Sequence, residues 1–329
     1  MRVYISQRVF SEAQEFLKKE GITFEMNEGA KLSKEKLIKK IQGADGLICP
    51  LSDQIDSKVL ESNPRLRVVS NVGVGYDNID VDTATKLGIM VTNTPGVLTE
   101  TTADLVFALL MSVARRIVEA DKFTRAGKYE GWELIQPHLG IDIYGKTLGI
   151  IGLGRIGRAV ARRASKGFDM KILYYDETRN KQAESELEAE FVGFEELLER
   201  SDFISIHTPL TEKTRHMFST SQFKKMKKSA FLINTARGPV VDEEALVRAL
   251  KDGQIKGAGL DVYEEEPKIH SELVKLDNVV LLPHIASASV ETRIRIATMA
   301  AENVVAALKG KKPPNLVNKE VSEKIPRDL

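Results

Sequence analysis

The sequence predicts an α/β protein built from two doubly wound parallel sheets, and three observations carry that reading. At 329 residues the chain is long enough for about two domains of roughly 150 residues each. Short β-rich runs alternate with longer amphipathic stretches along nearly the whole length, the pattern of repeated βαβ units. The runs in the second half are almost continuously apolar, as strands covered on both faces must be.

In the first half the strand runs are Val3–Ile5, Gly46–Cys49, Arg67–Ser70 and Ile89–Thr92, interleaved with helical patterns at Ser11–Glu20, Ser33–Gln42 and Val81–Leu87. In the second half they are Thr147–Ile151, Lys171–Tyr175, Phe203–His207, Ala230–Asn234, Gly257–Asp261 and Val279–Leu282. A helix is expected over Glu243–Lys251, capped by Asp242 and closed by Gly253. A long helical pattern runs from Thr99 to about Arg125, with Glu100 and Asp104 placed favourably near its positive end. A Gly-, Trp- and Pro-containing stretch, Gly127–Tyr144, follows it, and a second long helix, Val290–Leu308, comes after the last strand. Reading the two long helices as hinges makes residues 1–98 plus 287–329 one discontinuous domain and residues 99–286 the other. The Lys- and Pro-rich tail from Lys309 to Leu329 is expected to be partly loose.

Composition narrows the partners. Forty-eight Lys and Arg against 47 Asp and Glu leave a formal charge of +1, no electrostatic footprint for nucleic acid or an anionic membrane. Hydrophobic residues at 42% and charged residues at 29% are a globular mixture, which excludes global disorder. The single cysteine, Cys49, rules out an internal disulfide or a Cys-rich zinc module. The start, MRVYISQRVF, lacks the apolar core of a secretory signal, and the longest apolar run, Leu105–Met111, is too short to span a bilayer. A cytoplasmic location without membrane partners is the expectation.

The most specific motif lies at residues 147–164. The run Thr147–Ile151 leads directly into Gly152-Leu153-Gly154-Arg155-Ile156-Gly157 and then an Ala-, Val- and Arg-rich helix. A lone G-x-G-x-x-G is weak evidence; between a strand and a helix it is a dinucleotide-binding fingerprint. Gly152 permits the tight turn, Gly154 lets a pyrophosphate approach the backbone, and Gly157 lets helix and strand pack closely. The helix N-terminus offers unpaired N–H groups to the phosphates. Asp176 ends the next strand, 19 positions after Gly157, where an acid receives the adenine-ribose hydroxyls. A 2′-phosphate there would meet Asp176 and Glu177, with Arg179 as the only nearby compensation, so NAD is favoured over NADP.

Polar residues end three later strands: Arg237 after Leu232–Asn234, Glu266 in the loop after Asp261, and His284 after Leu282-Pro283. Ligands of open α/β sheets bind outside the carboxyl ends of the strands, so all three could face one cleft. Singly each has a bland reading: an arginine capping carbonyls, a solvated loop acid, a histidine satisfying a carbonyl. Together, downstream of a dinucleotide fingerprint, they point to acid–base chemistry. None of the five histidines is spaced from another as helical metal ligands are, and no serine-nucleophile pattern occurs, so no metal is expected. In the first domain, Gly73 and Gly75 within Asn71–Asp77 could expose consecutive amides to a small carboxylate. A turn that merely needs positive φ would read the same.

These motifs resemble the D-isomer-specific 2-hydroxyacid dehydrogenases, most of all the glyoxylate/hydroxypyruvate reductases. The likeness covers nearly the whole chain: Asn71–Asp80, Gly149–Gly157, Asn234–Gly238, Gly259–Tyr263 with Glu266-Pro267, and Pro283–Ile285. The interval of 29 residues from Arg237 to Glu266 and of 18 from Glu266 to His284 looks like the family's catalytic spacing. The resemblance implies a Rossmann dinucleotide-binding domain and a flavodoxin-like substrate domain. It implies His284 as general acid, Glu266 holding that imidazole and favouring its protonated form, and Arg237 binding the substrate carboxylate. It further implies cofactor contacts from Arg155, Ile156, Asp176, Thr208, Thr235 and Asp261, substrate contacts from Leu51, Val72, Gly73 and Val74, and a homodimer built by the helix from Thr99 and the segment through Trp132. Members acting on phosphoglycerate place arginines in the segments Pro50–Ser52 and Asn71–Gly75; this chain has none, which points to a small uncharged tail, as in glyoxylate, hydroxypyruvate or pyruvate. Formate dehydrogenases carry Gln where Glu266 stands. Other dehydrogenases of the family (D-lactate, phosphoglycerate, phosphite) and an NADH-sensing binding protein stay open as alternatives.

Overall fold

The computed structural model describes residues 1–323; the last six residues of the tail, 324–329, lie outside the described residues. The chain divides into two compact units, one made of Met1–Leu98 with Ser287–Leu329, the other of Thr99–Ala286.

The first unit holds β1 (Arg2–Ile5), α1 (Ser11–Lys19), β2 (Thr23–Met26), α2 (Lys34–Lys40), β3 (Gly46–Pro50), α3 (Ser57–Glu61), β4 (Val68–Val72), α4 (Val81–Lys86) and β5 (Met90–Thr92). Its five strands pair in the order β2-β1-β3-β4-β5, every pair parallel. This is the flavodoxin-like order, whose switch point falls between β1 and β3. Because successive strand residues face opposite ways, Val3, Ile5, Ile48 and Val68 enter one core, while Tyr4, Leu47, Cys49 and Val69 enter the other. The helix Val290–Leu308 covers the first of those faces beside α1. The segment after it is tied down by Asn318, which accepts from the Val91 amide (2.8 Å) and donates to the Ile89 carbonyl (2.9 Å). The strand Thr23–Met26 carried too little apolar character to be read from sequence: it is an edge strand, and none of its residues is fully buried.

The second unit opens with α5 (Thr99–Ala114) and α6 (Ile117–Arg125). Here the expectation of one helix to about Arg125 is corrected. Arg116 takes φ 53, a left-handed conformation that ends a helix, and its guanidinium is held by Glu119 on the new one. Then follow β6 (Thr147–Ile151), α7 (Arg155–Phe168), β7 (Lys171–Tyr175), α8 (Lys181–Leu187), β8 (Ala189–Phe191), α9 (Phe194–Arg200), β9 (Phe203–Ile206), α10 (Thr220–Lys225), β10 (Phe231–Asn234), α11 (Glu243–Lys251), β11 (Gly257–Leu260) and β12 (Val279–Leu281); the helix already placed in the first unit is α12. The parallel sheet runs β12-β11-β10-β9-β6-β7-β8, the Rossmann order with a seventh strand. Its switch point lies between β6 and β9. The face carrying Leu148, Ile150 and Tyr174 is covered by α5 and α7, with Phe107 stacked on Phe168 at 5.1 Å. The other face, carrying Ile151, Leu173 and Ile204, is covered by α9, α10 and α11.

Asn318→Ala would strand the Val91 amide and the Ile89 carbonyl in a dry interior. Leaving buried backbone groups unpaired costs about 1–3 kcal/mol, and urea unfolding should show a loss of that size. An unchanged midpoint would mean that the C-terminal segment does not complete the first unit.

Candidate active site

The glycine loop stands at the switch point of the second unit. Gly152 has φ 90, and a Cβ there would press on the His207 carbonyl at 3.0 Å. Gly157 has no room either, since its Cβ would lie 2.2 Å from the Gly152 oxygen. Gly154, the residue before α7, has nothing within 4 Å of where a Cβ would be, which leaves its backbone open to a ligand. The loop is pinned to the end of β7: the Gly152 amide donates to the Tyr175 carbonyl (2.9 Å) and the Leu153 amide to Asp176 Oδ2 (2.7 Å). Arg155 and Ile156 form the first turn of α7. Thr208 and Thr235 follow the C-terminal ends of β9 and β10. The Thr235 hydroxyl is buried without a hydrogen-bond partner among the described residues, as a group kept for a bound molecule would be. An open glycine, a helix N-terminus, an acid at the end of the next strand and an orphaned hydroxyl together fit a dinucleotide.

His207, which sequence left without a role, packs beneath that loop. Burial pushes its imidazole down to about 3, so it is neutral, and its Nε2 lies 2.8 Å from Ser205 Oγ.

The strand ends beside the loop carry the titrating groups. Glu266 Oε2 lies 2.8 Å from His284 Nδ1, and each side chain is about one-third exposed (34% and 33%). Burial opposes charge on Glu266, but the His284 hydrogen bond and charge, the Tyr263 amide and the positive field of Arg237 outweigh it and hold the carboxyl below its ordinary value. Glu266 is therefore ionised at neutral pH. Arg237 reaches this neighbourhood because two backbone turns are pressed together: a Cβ on Gly238 would fall 1.8 Å from the Tyr263 oxygen. Asn234 shapes the first turn, accepting from the Ala236 amide and donating to the Arg237 carbonyl, both at 3.0 Å.

Two residues hold the pair in place. Tyr263 donates its amide to Glu266 Oε1 (3.0 Å) and its hydroxyl to the Leu282 carbonyl (2.8 Å), so one residue fixes both the acid and the approach to the histidine. Asp261 is fully buried and accepts from the amides of Ile285 (2.7 Å) and Ala286 (2.8 Å). His284 itself takes φ 55, a left-handed conformation uncommon for a side chain of its size. Neither support was visible in sequence. In sequence Asp261 is implied only as a cofactor contact, and the one signal for its second task is its place at the end of the strand beside that of His284.

The remaining candidates lie in the first unit. Leu51 packs directly on Gly73, whose Cβ would stand 2.8 Å from Leu51 Cδ2. All three carbonyls of Gly73, Val74 and Gly75 are engaged by the protein: by the Thr94 amide (2.9 Å), Asn93 Nδ2 (2.7 Å) and Asn71 Nδ2 (2.6 Å). In a planar trans peptide the N–H points opposite the C=O. The amides of Val74, Gly75 and Tyr76 therefore point away from those donors, three successive N–H groups suited to a small anion. Val72 is the last residue of β4 and leads into this turn.

Among the described residues no helix is long and apolar enough to cross a membrane, and no group of three or more His, Cys, Asp or Glu side chains could hold a metal ion.

A Rossmann sheet with a glycine loop at its switch point and an imidazole–carboxylate pair at neighbouring strand ends defines a dinucleotide-dependent oxidoreductase. Residues 107–286 match the family described as D-isomer specific 2-hydroxyacid dehydrogenase, NAD binding domain. Over 291 residues, 88% of this chain and 87% of the relative, the sequence is 58% identical to a glyoxylate reductase of Korarchaeum cryptofilum. A protein of Thermus thermophilus has a similar solved structure, with TM-score 0.91, 44% identity and coverage of 96% of this chain and 100% of that one. An NADPH-dependent glyoxylate/hydroxypyruvate reductase of Sinorhizobium meliloti, solved with NADP and malonate, gives TM-score 0.86 at 32% identity over 97% of each chain. The chain belongs to the D-isomer-specific 2-hydroxyacid dehydrogenase family, and its cofactor is a nicotinamide dinucleotide.

His207 yields a pH prediction with a definite sign. Its folded pKa lies far below the unfolded value of about 6.5, so between those values the unfolded chain binds one more proton and stability falls as pH drops. His207→Asn should remove about one proton from the uptake on unfolding between pH 6 and 4. Equal uptake by variant and parent would contradict a neutral imidazole at this position.

Proposed function

We propose that the chain reduces glyoxylate or hydroxypyruvate to the corresponding D-2-hydroxy acid with NADH, His284 serving as general acid. The 2.8 Å contact between Glu266 and His284 Nδ1 carries the reading. With Glu266 ionised, Nδ1 keeps its proton, and the proton on Nε2 is the one His284 can deliver to a carbonyl oxygen. The nicotinamide, when bound, supplies the hydride. Arg237 would engage the substrate carboxylate and polarise the adjacent carbonyl, where a planar fork of donors suits the task better than lysine. Within the first unit, the turn Val72-Gly73-Val74 is the proposed contact for a substrate carboxylate, with Leu51 packed on Gly73 beside it. No arginine or lysine stands among Pro50–Ser52 or Asn71–Gly75 to neutralise a phosphate.

The choice of NADH rests on charge. Asp176 sits at the ribose position with one oxygen held by the loop. Arg179 is already gripped by Glu184 through two contacts of 2.9 Å, and Glu184 also binds the Tyr174 hydroxyl (2.7 Å). That leaves a 2′-phosphate facing Asp176, while Glu177 beside it is paired with Lys213 at 3.6 Å. The Sinorhizobium enzyme is named as NADPH-dependent, so cofactor choice would be a point at which this chain differs from it.

A homodimer is part of the same reading. The segment 127–144 exposes Tyr129, Trp132 (76%), Leu134, Ile135 (81%), Leu139 and Tyr144, more apolar surface than one short segment of a monomer usually leaves in water. Trp132→Glu with Ile135→Glu should convert a dimer to a monomer in light scattering; a parent already monomeric at micromolar concentration would end that part of the proposal.

His284→Ala should lower turnover of glyoxylate by about 10²–10⁴-fold with little change in NADH affinity. Glu266→Gln should lower glyoxylate turnover with little change in NADH affinity, because an amide that can also donate no longer fixes which ring nitrogen of His284 carries the proton. Full turnover in the alanine variant would remove His284 from the mechanism.

A further inference from the structure

The first unit contains a buried side-chain amide pair that the proposed chemistry does not use directly. Asn71 is fully buried and Asn78 is 5% exposed. Each donates to the other's carbonyl oxygen, at 3.2 and 3.3 Å. Each also donates outward to one loop: Asn71 Nδ2 to the Gly75 carbonyl (2.6 Å), Asn78 Nδ2 to the Asp53 carbonyl (2.9 Å) and, more weakly, to Pro50 (3.4 Å). Both outer partners are carbonyls, so the NH2 end of each amide must face outward and the pair has one possible orientation. The backbone of Asn78 adds a further tie, its carbonyl accepting from the Ile55 amide at 2.8 Å. Asp53 is anchored in turn by the Ser6 hydroxyl, 2.5 Å from Oδ2.

We infer that the Asn71–Asn78 pair is a positioning device for the 2-oxo acid: it yokes the loop Pro50–Asp53 to the turn Gly73–Gly75 and so sets the distance between Leu51 and the outward amides. This rests on the reading that those amides receive the substrate carboxylate. The physical reason is the pair's closure. A satisfied buried amide pair resists shear between the loops it joins, because sliding either loop strands a donor and an acceptor together. The turn and the Leu51 loop therefore behave as one rigid surface. Substrate recognition is sensitive to that surface, since a displacement of about 1 Å can cost up to 10²-fold. Neither asparagine need touch the substrate.

The test uses glyoxylate kinetics with four variants. Asn78→Ala should raise KM for glyoxylate about tenfold while kcat and the KM for NADH stay near the parent values. Asn78→Ser, which keeps a hydroxyl in the space, is the second variant should alanine fail to fold. Asn63→Ala is the control: Asn63 is also buried and donates to the Ile41 and Ala44 carbonyls at 2.8 Å, yet it touches neither loop. It should lower Tm and leave KM alone. Gly73→Ala, whose methyl would push on Leu51, tests the underlying site and should raise KM by itself. If the Asn78 variants change KM no more than Asn63→Ala while Gly73→Ala raises it, the yoke is refuted and the site stands. If neither the Asn78 variants nor Gly73→Ala moves KM, the turn does not receive the substrate and the inference falls with it.

Discussion

Asp261 is buried, and its two oxygens are spent on the amides of Ile285 and Ala286, which lets the preceding residue, His284, stand in the left-handed region. Burial raises this carboxyl above its ordinary value even though the two amides and the nearby imidazole work the other way. A buried acid held by backbone donors costs stability unless every lone pair is used. Here the cost supports a backbone conformation that aims the imidazole. Tyr263 adds the second constraint, gripping Glu266 through its amide and the strand before His284 through its hydroxyl. The imidazole–carboxylate pair is thus set by four backbone groups and two buried side chains, with little left to rotamer freedom.

The same economy recurs at the glycine loop. Three glycines are needed for three different reasons, a positive φ, an open approach and a close crossing, and the geometry around each differs accordingly. Asp176 belongs to that loop, because one of its oxygens holds the Leu153 amide. Its carboxylate is held in place by the chain itself, and the proposed preference for NADH rests on that fixed charge.

Much of this was legible in the sequence. The parallel strands of the second unit announced themselves as apolar runs, and the glycine loop with Asp176 could be placed to the residue. Arg237, Glu266 and His284 could be grouped because strand ends of one sheet converge. What sequence did not reveal has physical reasons. The edge strand Thr23–Met26 buries too little to show an apolar pattern. The break at Arg116 depends on a left-handed residue that no glycine marks. The supports from Tyr263 and Asp261, and the Asn71–Asn78 pair, join residues through contacts that only the folded chain creates.

The proposed function is the reduction by NADH of a 2-oxo acid whose tail is small and uncharged. Initial rates of cofactor oxidation at about 340 nm, the nicotinamide absorbance band, measure it directly. NADH and NADPH would each be tried against glyoxylate, hydroxypyruvate, pyruvate and 3-phosphohydroxypyruvate. Turnover is expected with NADH and confined to the unphosphorylated acids. A preference for the phosphorylated acid or for NADPH would contradict the charge argument, and no turnover with any of the four would contradict the assignment itself.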